Sequence, residues 1–269
     1  MMEYLDYTFF RYALAGVVLI SIAAAVVGSY IISRRLVAIA GGVTHACFGG
    51  LGLGYYLGVS PVLMAAAFAV ASSAGVEWMS QKIRLREDSA IAVVWSLGMA
   101  VGVLFVFMTP GYVPELNSFL FGNILTISAA DLAVFAIFTI ALCAFFAWKF
   151  KLIVAVAFDH DFARVQGLPA RMISYAMTVF VAVCIVLTIR LVGVMLLMSL
   201  MSLPVMTAEV FCRRFPSIVW TSAAVSVVAG VAGLFAGAAI DVPCSAMIVL
   251  FLAGFFIVAK LGSSLRRRP

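Results

Sequence analysis

The chain alternates long uncharged runs with short charged or Pro/Gly punctuation, and polar positions almost vanish inside the runs. The run from Tyr12 to Ile32 carries no charge and reaches roughly 31 Å as a helix, enough to cross a hydrocarbon core. Helical spans are predicted near 12–32, 42–58, 61–80, 88–108, 131–148, 173–190, 191–208, 217–238 and 244–260. No loop separates the two spans that meet at Arg190, so merging them changes the count by one. The expectation is an all-α polytopic membrane protein with about eight or nine transmembrane helices in a single transmembrane domain, residues 1–269.

Charge then orients the spans. Glu3 and Asp6 precede the first apolar run while Arg34 and Arg35 follow it, the reverse of a cleavable signal peptide, so this span is retained with its N-terminus outside. Nine spans leave the C-terminus in the cytoplasm. On that topology fifteen of the 17 Lys and Arg residues fall inside, and only Arg11 and Arg190 fall outside. Ser60 and Pro114 are expected outside and Gly262 inside.

Composition removes the other classes. Hydrophobic residues make up 66% of the chain and charged residues 10%, with a mean hydropathy of +1.22; a soluble domain carries about 25% charged residues. The net charge of +6 follows the topology and favours contact with anionic lipid, not nucleic acid. Cys47, Cys143, Cys184, Cys212 and Cys244 are scattered, with no CxxC, and read as small apolar helix residues. The sequence holds no phosphate-binding GxxxxGK[ST] loop, so any ATP hydrolysis must belong to a partner.

One span departs from the rest. Seven of the eighteen residues in "GGVTHACFGGLGLGYYLG", 41–58, are glycine, and the span also holds His45. Gly42, Ala46, Gly50, Gly54 and Gly58 recur every four residues and predict a small-residue packing stripe, the means by which helices approach closely in lipid. Gly233 and Gly237 repeat the signal in a later span. His45 lies within about 60° of that stripe and so faces protein or a cavity. An ionisable group within a span is either a functional ligand or a core histidine satisfied by a neighbouring carbonyl, and both readings stand here. Cys47 points about 200° away and cannot join it. Every carboxylate lies at or near a span end, which argues against a tight four-ligand zinc site but leaves room for a weak, transient one.

A second informative segment is "FDHDFARVQGLPAR", 158–171. Asp159 is predicted to cap a helix of about two turns that Gly167 stops in a left-handed conformation, with Pro169 forbidding its continuation. Phe162 and Val165 mark one side, with Asp161 and Arg164 around it. It reads either as an ordinary interfacial loop helix or as a rigid knob for a groove on a cytoplasmic partner.

Over nearly its whole length the chain resembles the permease subunits of bacterial zinc and manganese ABC importers. "RRLVAIAGGVTHACFGG" is similar to that family's RRxxxxGDxxxHA region and "EDSAIAVVW" (87–95) to its EDxxIG segment. "FLFGNIL" (119–125), "FDHDFARVQG", "VGVMLLMSLMSLPVMTA" (192–208) and "DVPCSAMIVL" (241–250) resemble further blocks in the right order. The resemblance implies a homodimeric permease of the cytoplasmic (inner) membrane, fed by an extracytoplasmic solute-binding protein. A separate cytoplasmic ABC ATPase would bind ATP and Mg and dock on Asp159, Phe162, Arg164 and Gly167; the chain itself would bind no cofactor. It also implies movement of a divalent metal ion, zinc, manganese or iron, into the cytoplasm.

Two departures bear on the cargo. The family's metal-facing aspartate falls on Gly41, and its GP falls on Ser245 and Ala246. Met195, Met198 and Met201 are spaced by three, with Ser199 and Ser202 near the same face. Core packing explains the methionines; on the pathway, the Met198 thioether beside His45 would favour softer ions and the Ser202 hydroxyl would not. The alternatives are a permease for a non-metal small solute, a passive channel, or an intramembrane enzyme pairing His45 with Asp241 or a serine.

Overall fold

The computed structural model describes residues 6–110 and 122–266, and every regular element among them is helical. Pro114, Phe119–Phe121 of the "FLFGNIL" block, and the basic residues Arg267 and Arg268 lie outside the described residues. The helices are α1 (Thr8–Ser33), α2 (Val37–Leu57), α3 (Pro61–Trp78), α4 (Glu87–Met108), α5 (Ala129–Trp148), α6 (Phe150–Phe158), α7 (His160–Val165), α8 (Ala170–Phe211), α9 (Phe215–Ile240) and α10 (Cys244–Arg266). A π turn, Met79–Ile83, prolongs α3, and a 3₁₀ turn, Ile124–Thr126, precedes α5.

Eight of these helices are long and apolar enough to cross a membrane. The two spans expected at 173–190 and 191–208 are two helices that follow one another without a loop, written together as α8, and they meet at Gly193 and not at Arg190. Nothing in the sequence between them stops a helix, since Arg190 and Leu191 are both helix-compatible. The break falls at Gly193, whose φ 80 and ψ 172 lie in a region that only glycine occupies readily. The run would otherwise be a rod of roughly 63 Å, about twice the hydrocarbon thickness.

By its contacts the chain forms two compact units. The first takes its described residues from Met1–Ile32, Asn117–Trp148 and Leu191–Pro269, the second from Ser33–Leu116 and Lys149–Arg190. In the first unit small residues set the helix crossings: a side chain on Gly28 would meet the Met201 backbone, on Gly233 that of Ile248, and on Gly237 that of Cys244. Phe10 packs edge-on against Phe235 at 5.1 Å.

The second unit is organised around α2, which is buried along most of its length. Ser60 accepts a hydrogen bond from the Leu63 amide at 3.5 Å and Pro61 occupies the first turn, so α3 starts immediately after α2 ends and packs back on it. The small-residue stripe does not face one neighbour. A side chain on Gly42 would strike Ile91 of α4, and Ala46 lies against Gly98 of the same helix; Gly50 abuts Ala65, and Gly54 abuts Pro61, both on α3. A four-residue step advances about 40° around a helix, so three steps carry the stripe about 120° from one neighbour to the other. Gly58 is not in the packing face at all. Nothing lies within 4 Å of a side chain placed there, and the residue closes α2 with φ 67, its N–H bonded to the Gly54 and Tyr55 carbonyls. Gly52, which the four-residue pattern did not single out, also takes part in a close crossing, where it meets the Gly102 backbone.

Candidate functional site: His45 and the capped segment 159–168

His45 is half-buried near the middle of α2. Its imidazole lies flat on the Trp95 indole of α4, with centroids 4.6 Å apart and planes 6° apart, and Phe48 flanks it at 6.1 Å. The parallel run of α2 and α4 over Ala46, Gly98 and Gly102 brings these rings together, because the backbones approach without intervening side chains. Buried Nδ1 has no hydrogen-bond partner among the described residues. Of the two readings of this histidine, the one requiring a satisfied core imidazole therefore lacks its acceptor or donor.

The neighbouring polar groups of α2 are already occupied. Cys47 Sγ donates to the Val43 carbonyl at 3.1 Å, and Thr44 Oγ1 donates to the Ala40 carbonyl. Gly41, buried one turn before His45, offers no side chain. No cluster of three or more His, Cys, Asp or Glu occurs among the described residues. Met198 and Ser202 belong to the first unit, whereas His45 belongs to the second. Ser202 Oγ donates to the Met198 carbonyl at 2.8 Å and Ser199 Oγ to that of Met195 at 3.0 Å. The three methionines do not share a face: Met195 is exposed, Met198 half-buried and Met201 buried, as the 60° drift of a three-residue spacing requires.

The segment 159–168 forms a capped helix. Asp159 Oδ1 accepts from the Phe162 amide at 2.8 Å. At the other end the Leu168 amide donates to the Ala163 carbonyl and the Gly167 amide to that of Arg164, both at 3.0 Å, with Gly167 at φ 74; this is a Schellman closure. Ala163 is buried at 0%, while Phe162 and Val165 stand 58% and 87% exposed. Arg164, Gly167 and Pro169 line a shallow groove of about 600 Å³ with Arg171 and Tyr175.

A polar cluster that sequence reasoning missed lies in the same unit. Arg34, in the turn between α1 and α2, donates to Glu87 Oε1 at 2.8 Å and to Ser174 Oγ at 2.9 Å, and lies 3.7 Å from Glu77 Oε1. Ser174 Oγ is 3.3 Å from His160 Nδ1, the first residue of α7. Gln81 donates to Glu77 at 2.6 Å, and Ser80 to Glu87 at 3.5 Å. Burial holds the His160 imidazole below its ordinary range, with the Arg34 charge adding to the effect. The clue in the sequence was the combination of basic residues at one span end with acidic residues at two others.

The comparisons with known proteins agree with this architecture. The ABC 3 transport family matches residues 6–263 of the 269. The chain belongs to that family. It is similar to a protein of Haemophilus influenzae named as a "Probable iron transport system membrane protein", 29% identical and covering 100% of this chain and 98% of that one. A manganese transport system membrane protein of Halalkalibacterium halodurans is 27% identical, covering 96% and 88%. Among solved structures, PsaBC from Streptococcus pneumoniae in complex with Fab superposes with a TM-score of 0.82 at 25% identity, covering 96% of this chain and 94% of that one. This ABC 3 family chain is thus a metal-type ABC transporter permease, a multi-pass protein of the inner membrane and not an enzyme. Asp241 ends α9 in a left-handed conformation.

Proposed function

We propose that the chain is the permease of an ABC importer that carries a divalent metal ion, manganese, iron or zinc, into the cytoplasm. A single permease domain, 1–269, pairs with a second copy as a homodimer, with its N-terminus outside and C-terminus inside. An extracytoplasmic solute-binding protein delivers the ion, and a cytoplasmic ABC ATPase, binding ATP and Mg, docks on the exposed Phe162 side of α7. The permease itself holds no cofactor.

The observation that carries the metal reading is the orphaned Nδ1 of His45, buried in a span and held rigidly by the Trp95 stack. A neutral imidazole with a free nitrogen is a borderline-soft donor suited to first-row divalent ions, and a lone ligand lets the ion leave. The names of the relatives, iron in one case and manganese in another, support the same class of cargo. Uptake of radiolabelled manganese by proteoliposomes containing the permease, ATPase and binding protein tests it. His45→Ala should reduce uptake at least tenfold with expression and resting ATPase rate unchanged. Normal uptake by that variant would overturn the metal role of His45.

A further inference from the structure

Arg34 stands two residues beyond the boundary between the two units, in a turn whose backbone links α1 to α2. Its side chain is only 9% exposed and reaches three groups of the second unit. There it reaches α3 through Glu77, α4 through Glu87 and α8 through Ser174. Glu77 is 3% exposed and Ser174 0%. A guanidinium has five donors in a fixed plane, so one residue can hold three acceptors on three helices at fixed angles, which no lysine reproduces.

Ser174 extends the reach of the cluster. Its Oγ accepts from Arg34 at 2.9 Å and lies 3.3 Å from His160 Nδ1, within reach of a second hydrogen bond. The contacts run from Arg34 through Ser174 to His160, and His160 opens α7 one residue after the Asp159 cap. The capped segment is therefore tied by side chains to α3 and α4, the two helices that pack on α2 around His45.

We propose that Arg34 is the positioning residue that makes α7 and the α2–α4 group one moving body, so that a displacement imposed on α7 is delivered to the helix carrying His45. The inference rests on α7 being the ATPase contact proposed above. Without the cluster, α7 keeps its own caps and its exposed Phe162, so the ATPase still docks and still turns over. What is lost is transmission.

The test is the ratio of ATP hydrolysed to manganese transported in the reconstituted importer. Arg34→Met and Ser174→Ala should each raise that ratio at least fivefold while binding of the ATPase to the permease stays within twofold of wild type. Ser174→Thr, which keeps the hydroxyl, should restore it. Should Arg34→Met fail to insert, Ser174→Ala decides alone, because it leaves the Arg34 carboxylate pairs in place. A wild-type ratio in Ser174→Ala overturns the proposal. Phe162→Asp separates the two levels: if it leaves ATPase binding unchanged, the docking assignment of α7 has failed and this inference falls with it. If Phe162→Asp abolishes binding while Ser174→Ala transports at the normal ratio, only the role of Arg34 has failed.

Discussion

His45 rests face to face on Trp95 across the α2–α4 crossing, 4.6 Å between centroids and 6° between planes. A ring held that way has one orientation, so the nitrogen without a partner is also a nitrogen in a fixed place. Aromatic stacks of this kind contribute about 0.5–1.5 kcal/mol beyond buried area. Trp95→Leu should therefore weaken the apparent affinity for manganese by roughly 2- to 12-fold, from the same 0.5–1.5 kcal/mol, while Trp95→Phe keeps most of it. The concentration dependence of uptake is the measurement. Because Trp95 is 39% exposed within the chain, thermal stability should change little; a large loss of stability with unaltered affinity would show that the stack is only packing.

Glycines on α2 and α4 should differ sharply from one another. A side chain on Gly102 would drive into the Phe48 backbone, and neither helix can yield without opening the crossing. Gly102→Val should destabilise by about 1–3 kcal/mol or more, the usual range for overpacking. Gly58 has open space around it and only its φ of 67 to defend. Gly58→Ala should lose about 1 kcal/mol, the strain of a left-handed alanine. Thermal unfolding in detergent ranks the two, and equal losses would contradict the crossing geometry.

His160 predicts how the second unit responds to acid. The groups around it are Arg34 and Arg164, which oppose its protonation, and Glu77 and Asp161, which favour it; burial outweighs them all and lowers its pKa. The unfolded chain takes up a proton near pH 6.5 while the folded chain resists, so the contribution of His160 is complete above 6.5 and is lost as pH falls through the lowered value. Melting temperature should hold steady from pH 8 to about 6.5 and then decline. His160→Gln should remove that part of the decline. A wild-type curve that rises on acidification would reverse the sign and refute the assignment.

How much of this was written in the sequence differs from element to element. Spans such as 61–80 and 131–148 were legible because an uncharged run long enough to cross lipid has few alternatives, and Asp159 with Gly167 marked both ends of α7 because caps are local chemistry. The position of the break in α8 was not legible, since Gly193 permits a break without demanding one. The pairing of Gly52 with Gly102, and of Arg34 with Glu77, Glu87 and Ser174, was not legible either. Each depends on register between segments that are distant in sequence, and a single chain fixes the face of a helix but not its partner. His45 was visible as an anomaly, but the stack and the missing partner that favour the ligand reading exist only in three dimensions.

Gly41 supplies the sharpest test of that reading. It is buried on α2 one turn before His45, where related permeases carry an aspartate by the resemblance of the surrounding motif. Gly41→Asp places a carboxylate at the i, i+4 spacing from the imidazole, so the two can share one ion. Without metal, that carboxylate is buried beside a neutral ring, and the variant should melt lower than wild type. Manganese binds the pair and not the unfolded chain, so it should recover the loss in proportion to its concentration over the dissociation constant. The added oxygen is a harder donor than imidazole, which should raise preference for manganese over zinc in competition uptake. Wild type should show a much smaller thermal shift with manganese, having a single ligand. If the variant melts lower and manganese recovers nothing, while His45→Ala transports normally, then the space beside His45 holds no ion, and the histidine is there for its stack on Trp95.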